Sequence, residues 1–162
     1  MYKLAFTFAA CALMTEPLAA EETASEANIK IAEDYLAAYS TFEVDAMAPF
    51  MAEDVIFSDP TSSEQSASGG AFMFKGKAAA LKGLADYASQ YDSVPGDYDL
   101  ERRYESNGVV VFIGRLNYQL VTKDDRPISG AAPIVTAITV KDGKIAQHLD
   151  LYDYSGNVVE FD

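Results

Sequence analysis

The chain has 162 residues, room for one ordinary domain, and its 49% hydrophobic and 23% charged residues are the composition of a folded globule. Lys and Arg number 12 against 25 Asp and Glu, a net charge of -13, which excludes the basic stripe that nucleic acid requires and disfavours docking on anionic membranes. One Cys, one His and no Trp exclude a disulfide framework and a zinc site built from Cys and His.

Residues 1–20 have the layout of a secretory signal: Lys3 precedes an uncharged apolar run from Leu4 to Met14, and small residues follow up to Ala20. The run is too short for a permanent bilayer-spanning helix, so the expectation is an exported protein, periplasmic or secreted, with no stable membrane anchor. Leu18 fits the small-residue rule for a cut after Ala20 poorly, which leaves the cleavage position open. Residues 21–26 read as a polar, acidic lead-in. The domain is expected over 27–156, with a short tail at 157–162.

Ala32, Tyr35, Leu36 and Tyr39 recur at three- and four-residue steps, which predicts an amphipathic helix from Ala27 to Ser40. A short second helix is expected over Asp45–Met51, then a short strand, Val55-Ile56-Phe57, running into Asp59-Pro60. The Ser- and Gly-rich stretch 61–71 reads as a loop. Leu81, Leu84, Ala85, Ala88 and Tyr91 predict a third helix over Lys77–Tyr91. After Pro95-Gly96 the period changes to two. Tyr98, Leu100, Arg102 and Tyr104 alternate on one strand, and Val110, Phe112, Gly114, Leu116 and Tyr118 on the next. A third strand runs from Ile128 to Val140, Lys141-Asp142-Gly143-Lys144 is a hairpin turn, and the last strand spans Ile145–Tyr154. Three helices followed by long sequential hairpins give an α+β fold: a bent antiparallel sheet with helices over one face.

Three groups of residues have chemical interest. Asp59 ends an apolar strand, where burial would raise its pKa and suit it as a base; it could equally hydrogen-bond the turn ahead of Pro60. His148, Asp150 and Tyr152 lie two apart and share one strand face, with His148 the only side chain whose ordinary pKa lies near neutrality. Leu149 and Leu151 alternate with them, so which face looks inward stays open. Tyr35, Phe57, Phe112, Leu116 and Tyr152 are expected to point inward, as pocket lining or as plain core.

The order helix, short helix, strand, loop, helix and curved meander resembles the nuclear transport factor 2-like fold, in its branch of SnoaL-like cyclases and ketosteroid isomerases. The resemblance covers roughly residues 27–155 and is most specific at Ala52–Pro60 and at Ala131–Asp153. It implies a cone-shaped sheet covered by three N-terminal helices, a small apolar or carbonyl-bearing ligand, no cofactor, and homodimerisation through the exposed sheet. It places Asp59 on the isomerase's general base, Tyr35 on its substrate-binding tyrosine, and Val135 on the position of its protonated carboxylic acid. An isopropyl group donates no hydrogen bond, so half of that oxyanion hole is missing. His148 with Asp150 then offers a second acid/base pair, similar to the acidic and His groups of SnoaL-like cyclases. The functions expected are acid–base chemistry of the isomerase, cyclase or hydrolase type, or alternatively non-catalytic ligand binding or dimerisation.

Overall fold

The computed structural model describes residues 16–64, 71–154 and 158–161. Helix α1, Glu16–Ser40, is followed by the single turn α2, Val44–Met47, and by strand β1, Met51–Asp59. A 3-10 turn, Pro60–Glu64, and the short strand β2, Phe72–Lys75, lead to α3, Lys77–Ala88. The meander then comprises β3 (Tyr91–Ser93), β4 (Gly96–Ser106), β5 (Val109–Thr122), β6 (Pro127–Lys141), β7 (Lys144–Tyr152) and β8 (Val158–Phe161).

The strands form one curled sheet in the order β2-β1-β7-β6-β5-β3, with β4 also on β5 and β8 also on β6. The sheet is mixed rather than antiparallel throughout. The last long strand, β7, slots between β6 and the first strand, pairing antiparallel with the former and parallel with the latter. A meander alone would leave β1 and β7 as free edges, so their pairing removes two edges that would otherwise expose unpaired backbone. β3 and β4 lie end to end along β5, interrupted at Val94-Pro95.

Helix α1 lies over the inner face. Its stripe, Ala32, Tyr35, Leu36 and Tyr39, is no more than 5% exposed and packs with Met47, Met51, Val55, Phe57, Val110, Phe112 and Ile138 into the core. Each such large side chain contributes on the order of 1.5–3 kcal/mol by burial. Toward its N-terminal half, α1 is fastened to β4 by polar contacts: Glu105 accepts from Ser25 and Asn28, and Arg103 pairs with Glu33. Residues 21–26 are therefore part of a continuous helix rather than a separate lead-in. The expected tail likewise contains β8, which pairs with β6 over Ile128–Ala131. The expected export segment lies outside the described residues up to position 15. Among the described residues no helix is long and apolar enough to cross a membrane.

Two β-bulges reset which side chains face inward. On β4, Leu100 pairs with Gly114 but Arg102 pairs with Ile113, so Glu101 is an extra residue and the strand's parity flips. Tyr98 and Leu100 consequently share the inner face, Arg102 and Tyr104 turn outward, and Arg103 and Glu105 turn in. The chains approach so closely there that a Cβ on Gly114 would collide with the Asp99 carbonyl oxygen. On β7, Ile145 pairs with Val140 but Gln147 pairs with Thr139, so Ala146 is the extra residue. Two tight turns set these registers: Asn107-Gly108 and Asp142-Gly143 both have positive φ at both positions, the geometry that matches strand twist in a two-residue hairpin.

A buried tyrosine–histidine–aspartate cluster as the candidate functional site

The inner face of β7 carries His148, Asp150 and Tyr152, and the outer face carries Leu149 and Leu151. The expected hydrophobic direction is inverted here: His148 and Asp150 are fully buried, while Leu151 is 38% exposed. A buried polar pair is tolerated only when its hydrogen-bonding capacity is met, and the surrounding elements supply the partners. From α1, the Tyr35 hydroxyl lies 3.0 Å from His148 Nδ1, and one turn later the Tyr39 hydroxyl donates to Asp150 Oδ2 at 3.2 Å. From β6, Thr136 Oγ1 donates to Asp150 Oδ1 at 2.5 Å. His148 Nε2 lies 2.9 Å from Asp150 Oδ2. That contact is off the line of the ring N–H, so Nε2 has an ion-pair neighbour but no aligned hydrogen-bond partner. The ring of His148 stacks on Phe57, with centroids 4.4 Å apart, and meets Tyr39 edge-on at 4.7 Å.

The polarity of this chain follows from the groups themselves. A carboxylate only accepts, so the arrangement fits an imidazole that carries its hydrogen on Nε2, beside Asp150, and accepts at Nδ1 from Tyr35. Burial raises the pKa of Tyr35 well above the usual phenol value, and the charge of Asp150 adds to it, which keeps this donor protonated. Tyr98 and Tyr152 are shifted in the same direction, first by burial and then by Asp150. Tyr98 Oη is the second buried atom without an aligned partner among the described residues, although it neighbours Thr136 and Tyr152.

Asp59 is in a different setting. It is 5% exposed and on the inner side of β1, but its carboxylate is engaged by its own turn. Oδ1 accepts from the backbone N–H of Thr61 at 3.0 Å, from the N–H of Ser62 at 3.1 Å and from the Thr61 hydroxyl. Oδ2 accepts from the Tyr154 hydroxyl at 3.0 Å. Three donors share Oδ1 and one reaches Oδ2, so most of the acceptor positions of this carboxylate are taken by the turn and by Tyr154. The Thr61 hydroxyl also accepts from the N–H of Tyr152 at 3.0 Å, so this knot joins the end of β1 to the end of β7. Burial raises the Asp59 pKa, opposed by the hydrogen bonds from Thr61 and Tyr154.

Tyr35, His148 and Asp150 thus come together, with Phe57 stacked on the imidazole, while Asp59 stands apart at the strand end. Phe112 is fully buried on the inner face, and Leu116 and Tyr152 lie on that face half-buried. Val135 does not face inward. It pairs with Ile113 and Leu151 on the outer face, and Thr136 takes the inner position opposite Asp150. Without the bulge at Ala146 the hairpin would set Val135 against Asp150; the extra residue moves the register by one and turns the isopropyl group out. The inner position on this strand is therefore held by a hydroxyl, that of Thr136, whose hydrogen goes to Asp150. Tyr39, Tyr98 and Thr136 are cluster members that the sequence reading passed over. Tyr39 was legible only as part of a packing stripe, and a lone Thr in an apolar strand carries no signal of its own.

Two open grooves lie elsewhere. One, of about 550 Å3, is lined by Pro95, Gly96, Asn117, Tyr118 and Gly130 among others, and one of about 270 Å3 by Thr41, Phe42, Ala88, Ser93, Val94 and Pro95 among others. Neither includes Tyr35, Asp59, His148 or Asp150 in its lining. The cluster is sealed by its own side chains.

Comparison with known proteins places this geometry in a fold. A candidate SnoaL-like polyketide cyclase from Shewanella putrefaciens CN-32 is 21% identical with a TM-score of 0.67, over 93% of this chain and 95% of that one. TerC, co-crystallised with polyporic acid, is 19% identical with a TM-score of 0.61, over 80% and 93%. An epoxide hydrolase from M. tuberculosis, of the LEH-like type, is 15% identical with a TM-score of 0.62, over 82% and 86%. No match is found among curated protein sequences. The SnoaL-like domain family matches residues 32–148, from the first buried residue of the α1 stripe to the imidazole of the cluster. The chain belongs to the SnoaL-like family and has the curled α+β sheet of the nuclear transport factor 2-like fold.

Proposed function

We propose that this protein takes a small, uncharged, carbonyl-bearing molecule into the interior of its curled sheet and moves a proton at the carbon beside the carbonyl. One observation carries the reading. His148 Nε2 and Tyr98 Oη are buried polar atoms without aligned partners, and both neighbour the Asp150–Thr136 pair. Unmet groups of that kind cost stability, and a ligand oxygen is the simplest group that would satisfy them. Asp150 accepts the α-proton and returns it to carbon, His148 stays beside the carboxylate with its other nitrogen held by Tyr35, and the protonated hydroxyl of Tyr98 donates to the developing enolate oxygen. No Lys or Arg is buried among the described residues, so an anionic ligand would find no counter-charge beside Asp150. The co-crystallised polyporic acid of one relative and the hydrolase activity of another support the small-molecule class. Asp59, whose Oδ1 is taken up by its own turn and whose Oδ2 is held by Tyr154, shapes the turn and takes no proton in this reading.

The test is hydrogen–deuterium exchange at the α-carbon of a panel of ketones and lactones in heavy water, read by mass spectrometry. Exchange accelerated by the protein and lost in Asp150→Asn supports the proposal. Binding across the panel with no accelerated exchange contradicts it and favours a non-catalytic binding module.

A dimerisation role has its own support in the outer sheet face, where Val111, Ile113, Val135, Ala137, Leu149 and Leu151 share one surface across β5, β6 and β7. Two copies pairing through that face would dissociate on Leu151→Glu, measured by sedimentation velocity. Export is part of the same proposal. Removal of the first twenty residues would leave the buried stripe of α1 intact, and N-terminal sequencing of the mature protein locates the cut.

A further inference from the structure

A site sealed this completely needs a door, and the packing of aromatic rings around it indicates where the door is. The rings fall into two tiers. An inner tier, Tyr35, Tyr39 and Phe57, surrounds His148, with Tyr98 packed on Tyr39. An outer tier, Phe42, Tyr87, Phe72 and Tyr91, comes from the end of α1, from α3, from β2 and from β3, its rings in tilted and T-shaped contact around Tyr87. Phe74 links the two from β2, between Phe72 and Phe57, and Phe42 links them from the end of α1, with its ring 5.3 Å from Tyr39 on one side and 5.7 Å from Tyr87 on the other. Phe42 also lines the smaller open groove, and it is the groove-lining residue, among those described, whose ring packs on the inner tier. From that groove inward the order is Phe42, Tyr39, His148.

The backbone singles out the same residue. Phe42 has a φ of 54°, and its N–H bonds the Tyr39 carbonyl at 3.0 Å to end α1. That left-handed position is ordinarily glycine's, because a Cβ there meets the adjacent carbonyl. A bulky side chain held in such a conformation is an outlier of the kind that gathers at clamps and switches. Glycine would end the helix at less cost, but it would leave the groove open to Tyr39.

We infer that Phe42 is the gate of the site: its ring closes the route from the groove at Thr41–Pro95 to the imidazole of His148, and its displacement admits the ligand and limits ligand size. The inference rests on the proposed function for what enters, but not for whether entry is possible. The chain has a single histidine, so access to the site can be read without any substrate. Diethyl pyrocarbonate, a small uncharged carbonyl compound, carbethoxylates imidazole nitrogen, and the product absorbs at 240 nm. Its rate at one histidine scales with the fraction of time the gate stands open.

The wild-type protein should react slowly, Phe42→Ala about tenfold faster or more, and Phe42→Leu, which keeps most of the bulk, close to wild type. Phe42→Gly removes the same ring while relieving the backbone, so it should give the same acceleration even where the alanine variant folds poorly. Phe72→Ala, which deletes an outer-tier ring away from the groove, is the control and should change little. Near-uv circular dichroism of the tyrosines verifies folding. The inference is overturned by folded Phe42→Ala and Phe42→Gly proteins that react within about twofold of wild type, or by an equal acceleration in Phe72→Ala. Accelerated reaction at His148 together with absence of α-carbon exchange on any ketone would leave the gate standing and sink the proposed chemistry.

Discussion

The molecule buries two carboxylates on the inner face of neighbouring strands, and the company each keeps separates a hinge of the fold from a site. Asp59 is held by two backbone N–H groups of the turn that follows it, by Thr61 from the same turn and by Tyr154. Asp150 is held by side chains alone, from three different elements: Thr136 on β6, Tyr39 on α1 and His148 on β7. A carboxylate that binds its own backbone nucleates local structure, as a helix cap does. One that binds side chains alone, two of them delivered by other elements, caps no turn, and its burial needs another reason. Nε2 of His148 and Oη of Tyr98, both short of an aligned partner, supply that reason in a ligand.

The sharpest way to break the comparison is to neutralise both acids in turn. Asp150→Asn should cost at least about a hundredfold in α-carbon exchange, the usual scale of a lost proton acceptor, whereas Asp59→Asn should leave exchange within a fewfold of wild type. The reverse result would restore Asp59 as the base. Alkaline denaturation gives the next largest effect. Tyr35, Tyr39, Tyr98 and Tyr152 have pKa values raised well above 10.0, chiefly by burial, so the folded protein keeps protons that the unfolded chain releases above that pH. Stability should therefore fall as pH rises past 10, by about 1.4 kcal/mol per pH unit for each phenol still protonated in the folded state. Urea midpoints measured from pH 8 to 11 check this, and a flat profile would mean that these hydroxyls reach water.

Asp59→Ala should lower stability by about 1–2 kcal/mol through loss of the turn's cap, with turnover retained. A smaller effect of the same carboxylate appears at acid pH. The Asp59 pKa is raised by burial from 3.8, so the folded state holds the proton more tightly and stability falls as pH rises through the window above 3.8. In Asp59→Asn that decline should disappear from the acid limb of the urea midpoints. Smallest of all, Tyr39→Phe should cost about 0.5–1.5 kcal/mol by removing one donor to Asp150 while the ring still packs against His148.

Much of this arrangement was legible in the residues. The step of three and four in Ala32, Tyr35, Leu36 and Tyr39 marks the buried face of α1, and the two-residue spacing of His148, Asp150 and Tyr152 puts them on one side of β7. Their inward direction was not legible. Periodicity reports which residues share a face, and Leu149 and Leu151 argued for the opposite choice; the outcome depends on donors carried by α1 and β6. Bulges hid the rest. One extra residue at Glu101 moves Arg102 and Tyr104 outward, and another at Ala146 exchanges Val135 for Thr136 opposite Asp150. Neither position announces itself in a chain of otherwise regular alternation, because a bulge is fixed by the strand next to it. The parallel pairing of β1 with β7 escaped for a related reason: the two segments are separated by nearly the whole meander, and local pattern says nothing about which distant strand fills an edge.

The imidazole itself offers the most direct trial of the central claim, since the only histidine gives one set of ring signals in a nitrogen–proton correlation spectrum. Buried between Tyr35 and Asp150, it should show ring signals displaced from those of a solvated imidazole, and its Nε2 signal should move when a carbonyl compound that undergoes protein-accelerated exchange is added. An imidazole with the signals of a free, solvated ring, unchanged by that compound while exchange proceeds, would contradict the account.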